Sequence, residues 1–83
     1  MRVLWFAWLR ETVGQREEML TPPEGVDTVA DLIPWLAGLD DAHARALAEP
    51  ALVRVAVDQT HGGPDTSVRG AEEVAFFPPV TGG

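Results

Sequence analysis

The residues with the clearest chemical potential stand at the end of the chain, which reads Phe76-Phe77-Pro78-Pro79-Val80-Thr81-Gly82-Gly83. The two prolines lack an N–H for a strand ladder and fix their own φ near the extended value, so they end any strand that runs through the aromatic pair. The two glycines have no Cβ and fit passages that exclude other residues. Because the residues from Pro78 onward span at most about 20 Å, we expect an extended arm that carries the Gly83 carboxylate into a partner's pocket.

No other group of side chains forms a convincing catalytic or metal-binding constellation. The chain has no cysteine, which excludes disulfides, thiolate metal sites and a cysteine nucleophile. His43 lies in an alanine-rich stretch and is interpreted as a solvated helix residue. His61 stands near Asp58 and Asp65 in a glycine-rich loop, but a metal site there needs further ligands. We therefore expect no bound metal or other cofactor and no catalytic pocket, and the reactive group that remains is the carboxylate of Gly83. Whether the chain is itself an enzyme stays open.

Length and composition describe one small, acidic domain. With 83 residues, 46% of them hydrophobic, the chain buries a thin core, but it has no run of about 20 apolar residues to cross a membrane. Thirteen acidic residues against six arginines give a net charge of −7, which argues against nucleic acid and anionic lipid as partners. The absence of lysine removes any side-chain acceptor for isopeptide chains on the chain itself. No secretory signal is evident, so a cytoplasmic location is expected.

The first stretch, Arg2–Arg10, is apolar at nearly every position and predicts a strand. Such a strand is either buried on both faces or has one face that meets a partner. Its alternate side chains are Val3, Trp5, Ala7 and Leu9 on one face and Leu4, Phe6 and Trp8 on the other. A small domain cannot easily cover both faces, so one set is expected to form an exposed apolar patch. Glu11–Gln15 is predicted to be a turn around Gly14, and Arg16–Leu20 a second strand that completes a hairpin.

A helix is predicted to begin after Thr28 and to stop at Gly38. Thr28 is a good N-cap, and Asp31, three residues on, completes an approximate capping box. An apolar stripe at helical spacing follows, formed by Val29, Leu32, Ile33, Leu36 and Ala37. Pro34 conflicts with this interpretation because an interior proline usually kinks a helix, so we expect a distortion over Ala30–Pro34.

The second half of the chain is predicted to supply the remaining strands. Asp40–Glu49 is alanine-rich and predicts a short second helix, which Pro50 ends. Leu52–Gln59 is interpreted as a third strand, and Thr60–Asp65 as a loop. Thr66–Val68 is interpreted as a short edge strand, and Glu73–Phe77 as the last strand.

The element order β-β-α-β-β predicts an α+β fold of the β-grasp, ubiquitin-like architecture. In such an order the first and last strands are commonly central and parallel, because right-handed connections join them. We expect a mixed sheet of four to five strands, with one main helix packed on one face and a short second helix. The β-grasp domain is predicted to span residues 1–77, and the extended tail ending in Gly-Gly residues 78–83.

Both ends of the chain resemble one known family. VLWFAWLRETVG near the start and EEVAFFPPVTGG at the end are similar to the small, sulfur-carrying subunits of molybdopterin synthase, which are related to ubiquitin and to the thiamine sulfur carriers. The similarity covers the whole chain in element order, and its two ends are the specific parts. The chain departs from the family pattern at Asp58-Gln59, at the glycine-rich loop Thr60–Asp65 and at the turn Arg69–Glu72.

The resemblance implies a mechanism centred on Gly83. An adenylating enzyme that resembles ubiquitin activators would use ATP to form an acyl-adenylate there, and a sulfur donor would convert it into a thiocarboxylate. Two charged tails in turn would supply the two sulfur atoms that make cyclic pyranopterin monophosphate into molybdopterin. The implied partners are that activator and the large subunit of molybdopterin synthase, the latter in a heterotetramer.

The resemblance also assigns roles to residues at the sheet end and in the tail. Gly82 gives clearance beside the Gly83 carrier, while Pro78 and Pro79 set the exit direction. The implied partner-binding residues are Phe6, Phe77, Pro78, Pro79, Val80 and Thr81.

Three other functions remain open at this point. A thiamine-pathway sulfur carrier would share the tail chemistry but engage a different acceptor. A ubiquitin-like protein modifier would form isopeptides through Gly83. A pure interaction module would tolerate loss of the tail.

Overall fold

The computed structural model describes residues 1–79, which form one five-stranded mixed sheet with three α-helices. The strands are β1 Arg2–Trp5, β2 Glu17–Met19, β3 Arg54–Val57, β4 Thr60–Gly62 and β5 Glu73–Phe77. The helices are α1 Trp8–Val13, α2 Val29–Ala37 and α3 Asp41–Ala46, and a short 3-10 turn covers Pro50–Leu52.

The sheet order is β2-β1-β5-β3-β4, so the first and last strands are neighbours at its centre. β1 runs parallel to β5, with Val3 opposite Val74 and Trp5 opposite Phe76. The β1–β2, β3–β4 and β3–β5 pairs are antiparallel. The predicted α+β, β-grasp architecture and its central parallel pair are therefore confirmed.

The hydrophobic core lies between one face of this sheet and the helices, with α3 packed against both α1 and α2. The largest fully buried side chains come from the two central strands and from α1 and α2: Trp5, Phe76, Leu9, Leu32, Leu36, Val3 and Val74. Trp5 and Phe76 stack on each other, so a side-chain contact joins the two central strands in addition to their backbone ladder.

Helix α2 begins and ends where the sequence predicts. The Asp31 N–H donates to Thr28 Oγ1 over 3.3 Å and the Thr28 N–H donates to Asp31 Oδ2 over 3.2 Å, which completes the capping box. Its buried residues are Val29, Leu32 and Leu36, and Gly38 is the C-cap. Pro34 has no N–H to donate to the Ala30 carbonyl, yet it does not interrupt the helix, whose apolar face stays packed in the core.

The first strand is shorter than the sequence predicts. β1 ends at Trp5, and Ala7 turns the chain with φ 55° and ψ −135°. The Leu9 N–H then donates to the Phe6 carbonyl over 3.2 Å, which closes a β-turn. An alanine at positive φ is sterically disfavoured, so no propensity in the sequence marks this turn.

The turn predicted over Glu11–Gln15 is wrong, because α1 occupies most of that segment. Leu9 and Val13 are both buried and stand four residues apart, so the core selects helical spacing rather than strand alternation. Gly14 ends the helix at φ 89°, where its N–H donates to the Arg10 carbonyl over 2.8 Å.

The loop predicted over Thr60–Asp65 is wrong in its first half, which forms β4. Asp58 and Gln59 have φ of 47° and 70° and make the two-residue turn between β3 and β4. Their positive φ values are those of a hairpin turn, although the sequence lacks the glycine that usually announces one.

Two further predictions need adjustment. The edge strand predicted over Thr66–Val68 does not form among the described residues, where Ser67 makes an isolated bridge with Thr28. The second helix predicted over Asp40–Glu49 is shorter, with Asp40 as the N-cap of α3.

Candidate functional site at the end of the last strand

The predicted tail begins at the centre of the sheet. β5 ends at Phe77, between the end of β1 and the start of β3. The Phe6 N–H donates to the Phe76 carbonyl over 3.0 Å, and Phe77 lies opposite Arg54. The two prolines that follow are half-buried. Backbone on both sides thus fixes the point at which the chain leaves the sheet.

The face of the sheet away from the helices carries an apolar surface, which we name the open-face patch. Side chains alternate along a strand, so the neighbours of the buried Trp5 and Phe76 point away from the core. The patch consists of Leu4, Phe6, Ala56 and Phe77, which lie around the buried Ala75 on the same face. Phe6 is its most exposed member, at 49%. The predicted exposed set of the first segment is confirmed at Phe6 and at Trp8, which is 40% exposed at the start of α1.

Charged and polar groups border the open-face patch. Arg2 Nη2 donates to Glu73 Oε1 over 2.7 Å, and Arg2 Nε lies 3.9 Å from Glu17 Oε2. The hydrogen bond and charge of Glu73 raise the pKa of Arg2, which is a permanent cation. On the β4 side, the rings of His61 and Phe77 meet edge to face with centroids 5.4 Å apart. An apolar centre with a polar rim is the usual anatomy of a protein–protein interface.

The structure brings four of the predicted site residues together. Phe6, Phe77, Pro78 and Pro79 all lie where β1 and β5 end side by side. The remaining predicted site residues lie outside the described residues, so their roles stay predictions: Val80, Thr81, Gly82 and Gly83.

Sequence reasoning missed Ala7 as a component of this region. Its turn separates the exposed side chains of Phe6 and Trp8 from the buried Leu9. The apolar run from Val3 to Leu9 conceals the turn, because every residue in it also suits a buried strand.

The interpretation of His43 as a solvated residue is wrong, since it is 2% exposed. His43 Nδ1 lies 2.7 Å from Asp40 Oδ1, and His43 Nε2 lies 2.7 Å from Glu18 Oε2. Glu18 reaches the ring from β2, 25 residues earlier in the chain, and local sequence gives no sign of a pair so far apart.

The other candidate sites do not assemble. No three His, Asp or Glu side chains among residues 1–79 are placed to hold a metal ion. Asp58, which the sequence sets near His61, instead accepts the backbone N–H groups of Glu72 and Glu73, both over 3.0 Å. None of the helices within residues 1–79 has the length and hydropathy of a membrane span.

Comparison with known sequences identifies relatives over the whole chain. The model of the ThiS family matches residues 3–83. The molybdopterin synthase sulfur carrier subunit of Escherichia coli (strain K12) is 40% identical over 83 residues, covering 100% of this chain and 99% of the relative. The subunit of the same name from Haemophilus influenzae is 38% identical over 87 residues, again covering 100% of this chain and 99% of the relative.

Two solved structures share the fold. The crystal structure of SAMP1 from Haloferax volcanii is 28% identical with a TM-score of 0.74, covering 100% of this chain and 98% of that one. A putative molybdopterin converting factor, subunit 1, from Pyrococcus furiosus is 30% identical with a TM-score of 0.75, covering 95% of each chain. Since the family model and both sequence relatives match essentially the full length, the chain belongs to the ThiS family.

Proposed function

We propose that the chain is the sulfur-carrier subunit of a molybdopterin synthase and that it carries sulfur as a thiocarboxylate at Gly83. The observation that carries the proposal is the full-length match to two proteins named for that role. The absence of cysteine from the chain supports it, because a transferable sulfur atom then has no side-chain thiol to occupy. The chain has two methionines, which are thioethers and do not release sulfur under mild conditions.

The chemistry begins with a poor electrophile, the Gly83 carboxylate. An adenylating partner would join it to the α-phosphate of ATP and release pyrophosphate, which leaves an acyl-adenylate. A hydrosulfide equivalent from a sulfur donor would then attack the carbonyl carbon, and the bond to AMP would break. The product is a thiocarboxylate, in which one oxygen of the original carboxylate has been replaced by sulfur.

Transfer to the pterin would follow in the large subunit. The thiocarboxylate sulfur would attack a carbon of cyclic pyranopterin monophosphate that carries an oxygen. That carbon–oxygen bond would break, the oxygen leaving as a phosphate ester oxygen or as water, and a second water would then cleave the resulting thioester. Hydrolysis leaves the sulfur on the pterin and restores the Gly83 carboxylate. Each carrier delivers one sulfur atom, so a dithiolene requires two carriers in turn, as a heterotetramer of two small and two large subunits would supply.

The open-face patch is the proposed docking surface for the large subunit. Phe6 is a large exposed hydrophobic side chain beside the root of the tail, and such residues commonly anchor interfaces. The net charge of −7 favours a partner whose receiving pocket is basic.

Mass spectrometry of the intact chain tests the proposal. Incubated with the adenylating enzyme, ATP and a sulfur source of the same organism, the chain should gain the mass difference between oxygen and sulfur. Fragmentation should map the gain to the peptide that ends in Gly83. Adding the large subunit and the pterin precursor should return the mass to its starting value.

Two variants make this experiment specific. Deletion of Gly82 and Gly83 should abolish the gain while leaving the melting temperature nearly unchanged, because β5 ends before the glycines. Gly63→Ala is the matched control, since an added Cβ there contacts nothing within 4 Å and its φ is not positive. A gain on an internal residue would contradict the proposal. Discharge to a thiazole-forming enzyme would assign the chain to the thiamine pathway, and a ladder of lysine conjugates would indicate a protein modifier.

A further inference from the structure

A buried histidine joins helix α3 to the edge of the sheet. The His43 ring contacts Asp40, the N-cap of its own helix, and Glu18 from β2. Glu18 Oε2 also accepts the indole N–H of Trp5 over 2.9 Å, and Glu18 Oε1 accepts from Gln15 Nε2 over 3.1 Å. This polar network lies far from the tail in sequence and has no role in the proposed sulfur chemistry.

The geometry of the network specifies the charge of the ring. A carboxylate only accepts hydrogen bonds, and a neutral imidazole carries one N–H and one lone pair. Both ring nitrogens of His43 lie 2.7 Å from a carboxylate oxygen, the distance of a charge-assisted bond. A neutral ring would turn a lone pair toward one of the two carboxylates, so both contacts are satisfied only by an imidazolium.

Besides its own helix α3, the elements packed around His43 are β1, β2, α1 and α2. β1 contributes Trp5, whose ring meets that of His43 edge to face at 5.6 Å. The buried residues of α1 and α2 are apolar. The other charged residues of the three helices are all exposed: Arg10, Glu11, Asp31, Asp41 and Arg45. Among the described residues, the charges that face His43 are therefore the carboxylates of Glu18 and Asp40.

We propose that His43, Glu18 and Asp40 form a proton-dependent clasp, which holds α3 against β2 while the ring is charged and loosens when the ring loses its proton. Deprotonation replaces an attractive contact on Glu18 or Asp40 with two facing lone pairs. Glu18 is nearly buried, so when it loses the histidine contact its negative charge is stabilised only by the hydrogen bonds from Trp5 and Gln15. This inference concerns the stability of the fold and holds whether or not the chain carries sulfur.

The direction of the pH dependence follows from the same contacts. Burial lowers the pKa of His43, but the hydrogen bonds and charges of Glu18 and Asp40 outweigh it, and the pKa is raised. A histidine whose pKa is raised on folding stabilises the fold fully below its unfolded pKa, about 6.5, and loses that contribution as pH rises through the folded value. The clasp is therefore closed in mild acid and loosens on the alkaline side.

Thermal unfolding between about pH 5 and about pH 9.5 tests the clasp in the full chain. The melting temperature of wild type should exceed that of His43→Gln most at the acid end, and the difference should shrink as pH rises. His61→Gln is the matched control, because His61 is exposed on β4, and this variant should follow the wild-type profile. A constant difference between wild type and His43→Gln across this range would overturn the proposal.

Nuclear magnetic resonance of the imidazole nitrogens provides a second test that does not need the His43 variant to fold. In wild type at about pH 7, where a histidine with the ordinary pKa of about 6.5 is mostly neutral, both ring nitrogens of His43 should carry a proton. In Glu18→Gln, which keeps the side-chain shape but removes the charge, the pH at which His43 titrates should fall. A single ring N–H in wild type at that pH, or an unchanged titration in Glu18→Gln, would refute the clasp.

Discussion

The indole of Trp5 lies on the ring of Phe76, with centroids 5.0 Å apart and ring planes inclined by 19°. Both side chains are almost completely buried, and they occupy paired positions on the parallel central strands. The same indole meets the His43 ring in a T-shaped contact, with centroids 5.6 Å apart, so Trp5 connects the central strands to the helix layer. Phe76 immediately precedes the residue at which the strand ends, and the stack therefore supports the root of the tail.

Shortening Phe76 should weaken the fold. Phe76→Leu removes the stacking partner of Trp5 and leaves a small cavity, so the free energy of unfolding should fall by about 1 to 2 kcal/mol. Urea unfolding measures the loss. Phe6→Leu is the control with the same chemical change at a half-exposed site, where the effect should stay below about 0.5 kcal/mol. Equal losses in the two variants would contradict the importance of the stack.

Glycine at position 7 should stabilise the chain. Ala7 adopts φ 55° and ψ −135°, a region that costs a non-glycine residue about 1 to 3 kcal/mol. Glycine relieves this strain but loses about 0.5 to 1 kcal/mol through its greater freedom in the unfolded chain. Ala7→Gly should therefore raise the melting temperature, whereas Ala44→Gly, at an exposed position in α3, should lower it. A lower melting temperature for both would contradict the strain at Ala7.

The capping box of α2 should respond to acid. The pKa of Asp31 is lowered by the hydrogen bonds that its carboxylate accepts. The largest effects come from the backbone N–H groups of Asp27 and Thr28, and the Thr28 hydroxyl adds to them. A carboxylate whose pKa falls on folding stabilises the fold above its unfolded pKa, about 3.9, and the contribution is lost as pH falls through the folded value. The melting temperature of wild type should exceed that of Asp31→Asn at neutral pH, and the two melting temperatures should converge in strong acid. Asp65→Asn, an exposed control, should leave the wild-type acid profile unchanged.

Phe6 should be an anchor for the proposed large subunit. Phe6→Ser places a small polar side chain at the most exposed position of the open-face patch, and loss of an aromatic anchor weakens an interface about tenfold or more. Isothermal titration calorimetry with the large subunit measures the affinity. Leu39→Ser is the control, because Leu39 is 40% exposed between α2 and α3, in the helix layer on the other side of the sheet. Unchanged affinity for Phe6→Ser would place the docking surface elsewhere.

Much of the fold could be predicted from local patterns in the sequence. The capping pair Thr28 and Asp31, the stripe of α2 and the stop at Gly38 are short-range signals, and the structure confirms them. The prolines after Phe77 mark the end of β5 in the same way. The order of these elements was then sufficient to predict the central parallel pair.

The features that could not be predicted depend on contacts between distant residues or on strained backbone. The charge on His43 requires Glu18, which only folding brings to the ring. The turn at Ala7 and the hairpin turn at Asp58 and Gln59 use positive φ without glycine, so residue type does not reveal them. In the candidate site, sequence identified Phe6 and Phe77, but their adjacency follows from the register of β1 and β5.

The position of β5 between β1 and β3 has a mechanical consequence. A force applied to the C-terminal end along the axis of β5 loads the hydrogen bonds of both neighbouring ladders in shear, because those bonds lie roughly across the strand. Bonds loaded in shear share the force and must break together, whereas bonds at a peeled edge break one after another. Pulling on the tail therefore requires both central ladders to break together. Unfolding that begins at the edge strand β2 or β4 can instead break the hydrogen bonds one after another.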